Sequence, residues 1–257
     1  MDAYYQAPGV ALYLGDCREV VPALGTQFDC IVADPPYAET SLAWDRWPAG
    51  WPAAVAAASR SMWCFGSMRM LMDRRDEFTG WRMSQDVVWE KHNGSGFAAD
   101  RFKRVHELIT HWYRGPWSGI HHDTPRVPRT GPAKAVKNRT STPHTGAIAG
   151  GVYVDDGYRL ARSVLAVRSM HGRAIHPTEK PVELLTPLIA YACPPGGSVL
   201  DPFAGSASTL QAALQSGRTA VGVEADERYC EAAARRLEEL RRARGAAWAA
   251  GARPRRL

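Results

Sequence analysis

Asp34-Pro35-Pro36-Tyr37 brings together groups suited to chemistry on an aromatic amine. The exocyclic nitrogen of adenine or cytosine is a poor nucleophile, because its lone pair is delocalised into the ring. Two acceptors aimed at its two hydrogens rehybridise the nitrogen and free that lone pair. Asp34 offers one acceptor, and the Pro35 carbonyl, its direction fixed by proline rigidity, offers the other. Tyr37 suits stacking on the face of an extruded base. A carboxylate beside the amine also stabilises the positive charge left by transfer of an electrophile, and later takes a proton. A plainer reading competes, since Asp-Pro pairs form turns and Pro-Pro ends a strand.

A second segment with chemical content runs from Asp201 to Glu224. Asp201-Pro202-Phe203-Ala204-Gly205-Ser206-Ala207 closes one apolar run and opens a helical one. Small residues there let the backbone approach a ligand, and the helix start offers free N–H groups. Glu224 follows by about 20 residues, where nucleotide-binding α/β units keep an acid for ribose hydroxyls. The turn lacks G-x-G-x-x-G, which disfavours a dinucleotide. It suits a nucleoside without phosphates, of which S-adenosylmethionine is one. The plainer alternative is an ordinary strand–helix turn followed by a solvated glutamate.

The elements that must position these residues follow from apolar spacing. Ala11–Leu14, Phe28–Ala33, Met62–Phe65, Trp81–Glu90, His106–Tyr113, Ser198–Leu200 and Thr219–Val223 read as strands. Phe28–Ala33 is nearly all apolar, as a strand buried on both faces requires, and the prolines put Asp34 at its carboxyl end. Cys17–Leu24, Ala53–Arg60, Pro181–Cys193, Ser208–Ser216 and Asp226–Arg241 read as helices, with a kink expected at Pro187. The tail, Arg242–Leu257, is expected to fray. Arg114–Gly151 shows no periodicity and is rich in Gly, Pro, Ser and Thr, as a functional insertion is.

Composition bounds the partners. The chain has 257 residues with 45% hydrophobic residues, enough for one α/β domain and too apolar for wholesale disorder. A formal net charge of +6 points to a polyanion such as nucleic acid, or to an anionic membrane surface. The five cysteines form no C-x-x-C pair, so free thiols in a reducing cytoplasm are expected. No Cys/His cluster has zinc-ligand spacing, no run is long enough to span a bilayer, and the start lacks a signal-peptide pattern.

Asp34–Tyr37 (DPPY), His176–Pro181 (HPTEKP) and Asp201–Ser206 (DPFAGS) together resemble the amino-group DNA methyltransferases. Their order is similar to the permuted β group, in which the catalytic motif precedes the cofactor motif with target recognition between them. The resemblance implies a Rossmann-like α/β fold with a mostly parallel sheet and helices on both faces. It implies one methyltransferase domain over residues 1–257: a catalytic half at about 10–90, an inserted recognition region at about 91–165 and a cofactor half at about 172–241. It also implies S-adenosylmethionine as cofactor, double-stranded DNA as substrate and N6 of adenine as acceptor, with N4 of cytosine as the alternative. Asp34, Pro35, Pro36 and Tyr37 would be catalytic. The cofactor set would be Asp16, Cys17, Asp34, Thr178, Lys180, Asp201, Phe203, Ala204, Gly205, Ser206 and Glu224. Within it, Asp16 would accept from the cofactor's adenine, and Thr178 and Lys180 would lie near its carboxylate. Trp44-Asp45 resembles a loop that closes over the target base.

DNA contacts are expected from Trp44, Lys91, His92, Arg101, Lys103, Arg104, Arg126, Arg129, Lys134, Lys137 and Arg139, with Phe97 and Phe102 as aromatic partners. For each, a solvated surface residue is the competing view. His106-Glu107 reads as structural. Where the family has G-S-G, this chain has Gly205-Ser206-Ala207. Alanine fits without cost if φ is negative there, and costs about 1 kcal/mol or more if φ is positive. A non-catalytic DNA-binding module on the same fold is the different-class alternative, and intact Asp34, Tyr37 and Glu224 argue against it. A homodimer and a partner nuclease are both left open.

Overall fold

The computed structural model describes residues 1–95, 99–132, 137–138, 143, 152–153, 155–170 and 179–249. By backbone contacts it divides into a first unit, 1–123 with 163–257, and a second, 124–162. Residues 91–123 of the expected insertion therefore fall in the first unit.

In the first unit the chain begins with β1 (Tyr5–Ala7), β2 (Val10–Leu14), α1 (Cys17–Leu24), β3 (Cys30–Ala33), α2 (Trp51–Ala54), β4 (Ser61–Gly66) and α3 (Met68–Asp73). A long hairpin follows, β5 (Arg82–Ser95) and β6 (Arg104–Tyr113). The second unit holds β7 (Arg126–Pro128), β8 (Lys137–Asn138), β9 (Val152–Tyr153) and β10 (Tyr158–Leu160). These form two small antiparallel pairs, β7 with β10 and β8 with β9. The first unit resumes with β11 (Val164–Ala166), α4 (Val182–Ala192), β12 (Ser198–Asp201), α5 (Ser208–Gln215), β13 (Thr219–Glu224) and α6 (Glu227–Ala249).

Among the described residues the first unit builds one nine-stranded sheet, ordered β1-β2-β13-β12-β3-β4-β6-β5-β11. Its centre, β2 through β4, is parallel. The β4–β6 and β6–β5 pairs are antiparallel. Alternate residues of the central strands enter opposite cores. Cys30 and Val32 of β3 pack with α4, α5 and α6, through Leu184, Ile189, Leu210 and Leu237. Ile31 and Ala33 pack with Val20, Val21 and Trp51 from α1 and α2. Two buried faces explain why this strand is apolar throughout.

Several elements differ from the sequence expectation, each for a physical reason. The expected helix at Ala53–Arg60 is one turn starting at Trp51, with Pro52 in its first turn. The carbonyl of Ala58 instead accepts from Phe28 N at 2.8 Å, which draws the chain out of the helix and into β4. The hairpin strands reach beyond Glu90 and start before His106, through bulged register between Glu90 and Ser95. Bulges hide period-two alternation. Helix α4 runs through Pro187, and α6 continues past Arg241 into a segment rich in the strong helix formers Ala and Arg. Strands of two or three residues in the second unit are too short to show a period.

Ala207 takes φ +64°, directly before α5, and is fully buried. The position therefore carries the strained alternative. Reversion to glycine relieves about 1–2 kcal/mol of left-handed strain. It also removes a buried methyl, about 0.8 kcal/mol, and adds unfolded-state entropy of similar size. Ala207→Gly is thus expected to leave stability within about 1 kcal/mol of the parent. Ala207→Val adds a β-branch at positive φ in a filled core and is expected to cost about 2–4 kcal/mol. Denaturant unfolding of both variants checks this; equal stability of the two would contradict the backbone assignment.

Candidate active site

β3 and β12 are parallel neighbours, with Val199 opposite Cys30 and Leu200 opposite Ile31. From β3 the chain moves outward to β4; from β12 it crosses through α5 to β13 on the other side. Diverging crossovers open a crevice at the carboxyl ends of the two strands. A cavity of about 1800 Å³ lies there, lined by Gly15, Asp34, Tyr37, Lys180, Asp201 and Glu224 among others. Pockets for one small ligand are about 300–1,000 Å³, so this cavity has room for two.

Asp34 follows the last residue of β3. Its Oδ1 accepts from the Tyr37 hydroxyl at 2.8 Å, and its Oδ2 from Lys180 Nζ at 2.5 Å. Burial, together with the Asp34 carboxylate, pushes the Tyr37 phenol well above its ordinary value, so it stays a donor. Burial pulls the Lys180 ammonium down, but Asp34 and Glu107 outweigh it and the net shift is upward. Glu107 of β6 faces the same ammonium from 3.6 Å. Burial pushes its carboxyl up, but Lys180 and Lys91 outweigh burial and hold it below the usual range. Lys91 pairs with Glu107 Oε1 and lies 4.6 Å from the centre of the Trp89 ring.

The turn after this motif is held by one residue. Asp45 is 3% exposed and accepts from Ala38 N at 2.8 Å, Glu39 N at 3.0 Å and both Thr40 N and Thr40 Oγ1 at 2.7 Å. These bonds fix Ala38 at φ +58°. Burial pushes the Asp45 carboxyl up, but the Thr40 hydroxyl and three backbone donors bring it below its ordinary value. Trp44, half-buried, lines the cavity beside it.

The other end of the crevice is built by β12, β13 and the loop into α5. Glu224 Oε2 accepts from Gly205 N at 2.7 Å and Oε1 from Asp226 N at 2.9 Å. Burial raises its carboxyl, partly offset by those N–H groups. A Cβ at Gly222 would stand 2.9 Å from both Ala204 Cβ and Leu210 Cδ2, so glycine lets the loop lie directly on β13. Arg236 of α6 donates to Ser206 O at 2.8 Å, Ser206 Oγ at 3.1 Å and Ser208 Oγ at 3.0 Å, and pairs with Glu179 at 2.5 Å. It joins the 206–208 loop to the residue preceding Lys180. Phe203 packs edge-on against Trp51 at 5.1 Å.

The residues expected at the cofactor are largely gathered here. Gly15, Asp16 and Cys17 line the cavity. Asp16 caps α1 through Arg18 N at 2.8 Å and pairs with the Arg18 guanidinium at 2.5 Å. Cys17 is buried, and its thiol is pushed up to about 12, chiefly by burial. Lys180 lines the same cavity, with its ammonium on the Asp34 carboxylate at the end of β3. Thr178 lies outside the described residues.

The expected DNA contacts divide. Arg101, Lys103 and Arg104 are exposed at the cavity rim with Phe102 between them. Arg104 also reaches Glu39 at 3.4 Å. His92 is exposed, and its Nδ1 accepts from Ser169 N at 3.3 Å. Lys91 is a correction: it is consumed inside the carboxylate cluster. Arg129 is another, half-buried and paired with Asp155 at 2.5 Å within the second unit. Arg126, half-exposed in that unit, pairs with Asp156 at 2.5 Å. Lys137 lies on β8, and Phe97, Lys134 and Arg139 lie outside the described residues. Arg236 escaped the sequence reading. Its one signal is a place between Ala233 and Leu237 on the buried face of α6, where a lone arginine needs a partner.

Among the described residues no cluster of potential ligands could hold a metal, and no helix is long and apolar enough to cross a membrane. Residues 28–235 match the N6/N4 family described as DNA methylase. The protein named "Putative methylase YubD" from Escherichia coli (strain K12) is 54% identical over 72 residues, 28% of this chain and 32% of that protein. That match spans about a third of YubD's length. The type II methyltransferase M.ScaI from Streptomyces caespitosus is 27% identical over 262 residues, covering 91% of this chain and 83% of the relative. The solved structure of an M1.HpyAVI–SAM complex superposes with a TM-score of 0.62 at 21% identity, covering 88% of this chain and 99% of that one. The PvuII DNA methyltransferase, titled cytosine-N4-specific, gives 0.62 at 15% identity, covering 90% and 87%. At these identities the two structures establish the shared fold.

Asp201, at the end of β12, carries a carboxyl pushed up to about 7 by burial, against donors from Thr209 and Phe203. Its folded value exceeds the unfolded one. Between about pH 4 and 7 the folded state keeps a proton that the unfolded state has released, so stability falls as pH rises through that window. Asp201→Asn keeps an acceptor for Phe203 N and removes the titration. Its unfolding free energy is expected to lose this decline, a difference of about a few kcal/mol between pH 5 and 8. Parallel pH slopes for parent and variant would contradict it.

Proposed function

From the premise that this chain belongs to the N6/N4 DNA methylase family, we propose that it methylates the exocyclic amine of a base flipped from duplex DNA, adenine N6 foremost. The observation that carries this reading is Asp34 and Glu224 opening onto one cavity large enough for a nucleoside and a base. Asp34 and the Pro35 carbonyl accept from the amine's hydrogens, and Tyr37 lies against the base face. Asp34 stabilises the charge that develops on nitrogen and takes the departing proton.

The cofactor is S-adenosylmethionine. The donor set suits it: Glu224 for the ribose hydroxyls, Asp16 for the adenine amine, Phe203 and Gly205 around the methionine end. When bound, it supplies an electrophilic methyl on a sulfonium. Arg101, Lys103 and Arg104 hold phosphates at the rim, and Phe102 faces the duplex between them.

Adenine is favoured over cytosine because Tyr37 stacks on a purine over more area, worth about 1 kcal/mol. The DPPY form with aspartate first also accompanies adenine methylation more often in the resembling family. Cytosine N4 remains the second reading, since the same acceptors serve either amine.

Asp34→Ala is expected to abolish methylation of genomic DNA while calorimetric affinity for S-adenosylmethionine falls far less than turnover. Retained turnover would refute the role of Asp34. Digestion of methylated DNA to nucleosides, followed by mass analysis, is expected to return N6-methyladenine. Predominant 4-methylcytosine would overturn the base and leave the enzyme class standing.

A further inference from the structure

Both oxygens of Asp34 already hold protein donors, Tyr37 on Oδ1 and Lys180 on Oδ2. An ammonium at 2.5 Å competes with an incoming amine for the same acceptor. It also places positive charge next to a nitrogen that is about to become cationic. A carboxylate has room for further donors, but the charge beside the reacting nitrogen favours another seat for Lys180 during transfer.

The structure contains one. Glu107 Oε2 is sealed from solvent and, among the described residues, has no hydrogen-bond partner. Lys91 occupies the other oxygen, Oε1. Oε2 lies 3.6 Å from Lys180 Nζ, just beyond hydrogen-bond length. A buried carboxylate oxygen that has a cation in ion-pair range but no hydrogen bond is under-satisfied, which is costly and uncommon. The Phe65 ring, 5.1 Å from the ammonium in its place on Asp34, adds a cation–π contact beside the same cluster.

We propose that Glu107 is a positioning residue whose Oε2 receives Lys180 when the target amine takes Asp34 Oδ2. The ammonium then shifts by about 1 Å from a salt bridge with Asp34 to a hydrogen bond with Glu107. Asp34 gains a free acceptor, and the lysine's charge stays neutralised by a carboxylate. No covalent bond changes in this step. The inference rests on Asp34 being the acceptor for the amine.

A double-mutant cycle on the full chain tests it. Glu107→Gln is expected to lower kcat by roughly tenfold or more, with KM for duplex DNA and for S-adenosylmethionine within about threefold. In a Lys180→Met background the same substitution is expected to change kcat by less than about twofold, because Glu107 acts only through Lys180. Equal losses in both backgrounds, or a loss carried by KM, would make Glu107 a structural partner of Lys91 and overturn the proposal. If Glu107→Gln alone folds poorly, Lys180→Met is compared with Glu107→Gln/Lys180→Met, the double variant having lost one charge of each sign; a further loss beyond about twofold there overturns the proposal. A readout apart from turnover is the ¹⁵N ammonium resonance of Lys180, assigned by its loss in Lys180→Met. Duplex DNA with S-adenosylhomocysteine is expected to shift it in the parent and not in Glu107→Gln; an unmoved parent signal overturns the proposal. Asp34→Asn, measured in parallel, tests the underlying reading separately: parental kcat there would remove Asp34 as acceptor whatever the cycle returns.

Discussion

Adjacency of β3 and β12 is the constraint on which the site depends. Hydrogen bonding between these strands sets the start of DPPY beside the start of DPFAG, although the two motifs lie far apart along the chain. Diverging crossovers keep the space above them empty of backbone. Two apolar cores, one on each face, then hold the strand ends rigidly. Loops in this crevice need only supply side chains, because the sheet has already fixed their origin.

Charge is the second organising feature. Lys91, Glu107, Lys180 and Asp34 form an alternating row that runs from the hairpin to the end of β3. Alternation is what makes burial of four ions tolerable, since each charge has an opposite neighbour. The row also makes Lys180 a link between β3 and β6, elements that do not pair with each other in the sheet.

Much of this was legible in the residues. Continuous apolar runs closed by Asp-Pro located both strand ends, because burial on two faces and the proline backbone are local properties. The acid at Glu224 was legible from its offset to the glycine loop. What depended on partners distant in sequence was not. Glu107 read as structural because nothing near it announces Lys180. Lys91 and Arg129 read as phosphate contacts because a basic residue in a polar segment gives no hint of a buried carboxylate. Arg236 shows the same limit from the helix side. Bulges and polar residues erase alternation and hide the full length of the hairpin, and the positive φ of Ala207 is imposed by the loop into α5 and not by its neighbours in sequence.

Arg236 carries a consequence for how the crevice is braced. One guanidinium grips the 206–208 loop on one side and Glu179 on the other, and Glu179 immediately precedes Lys180. The loop at one end of the crevice and the segment bearing the lysine on Asp34 therefore hang from a single planar group, and the two ends of the cavity share one keystone on α6.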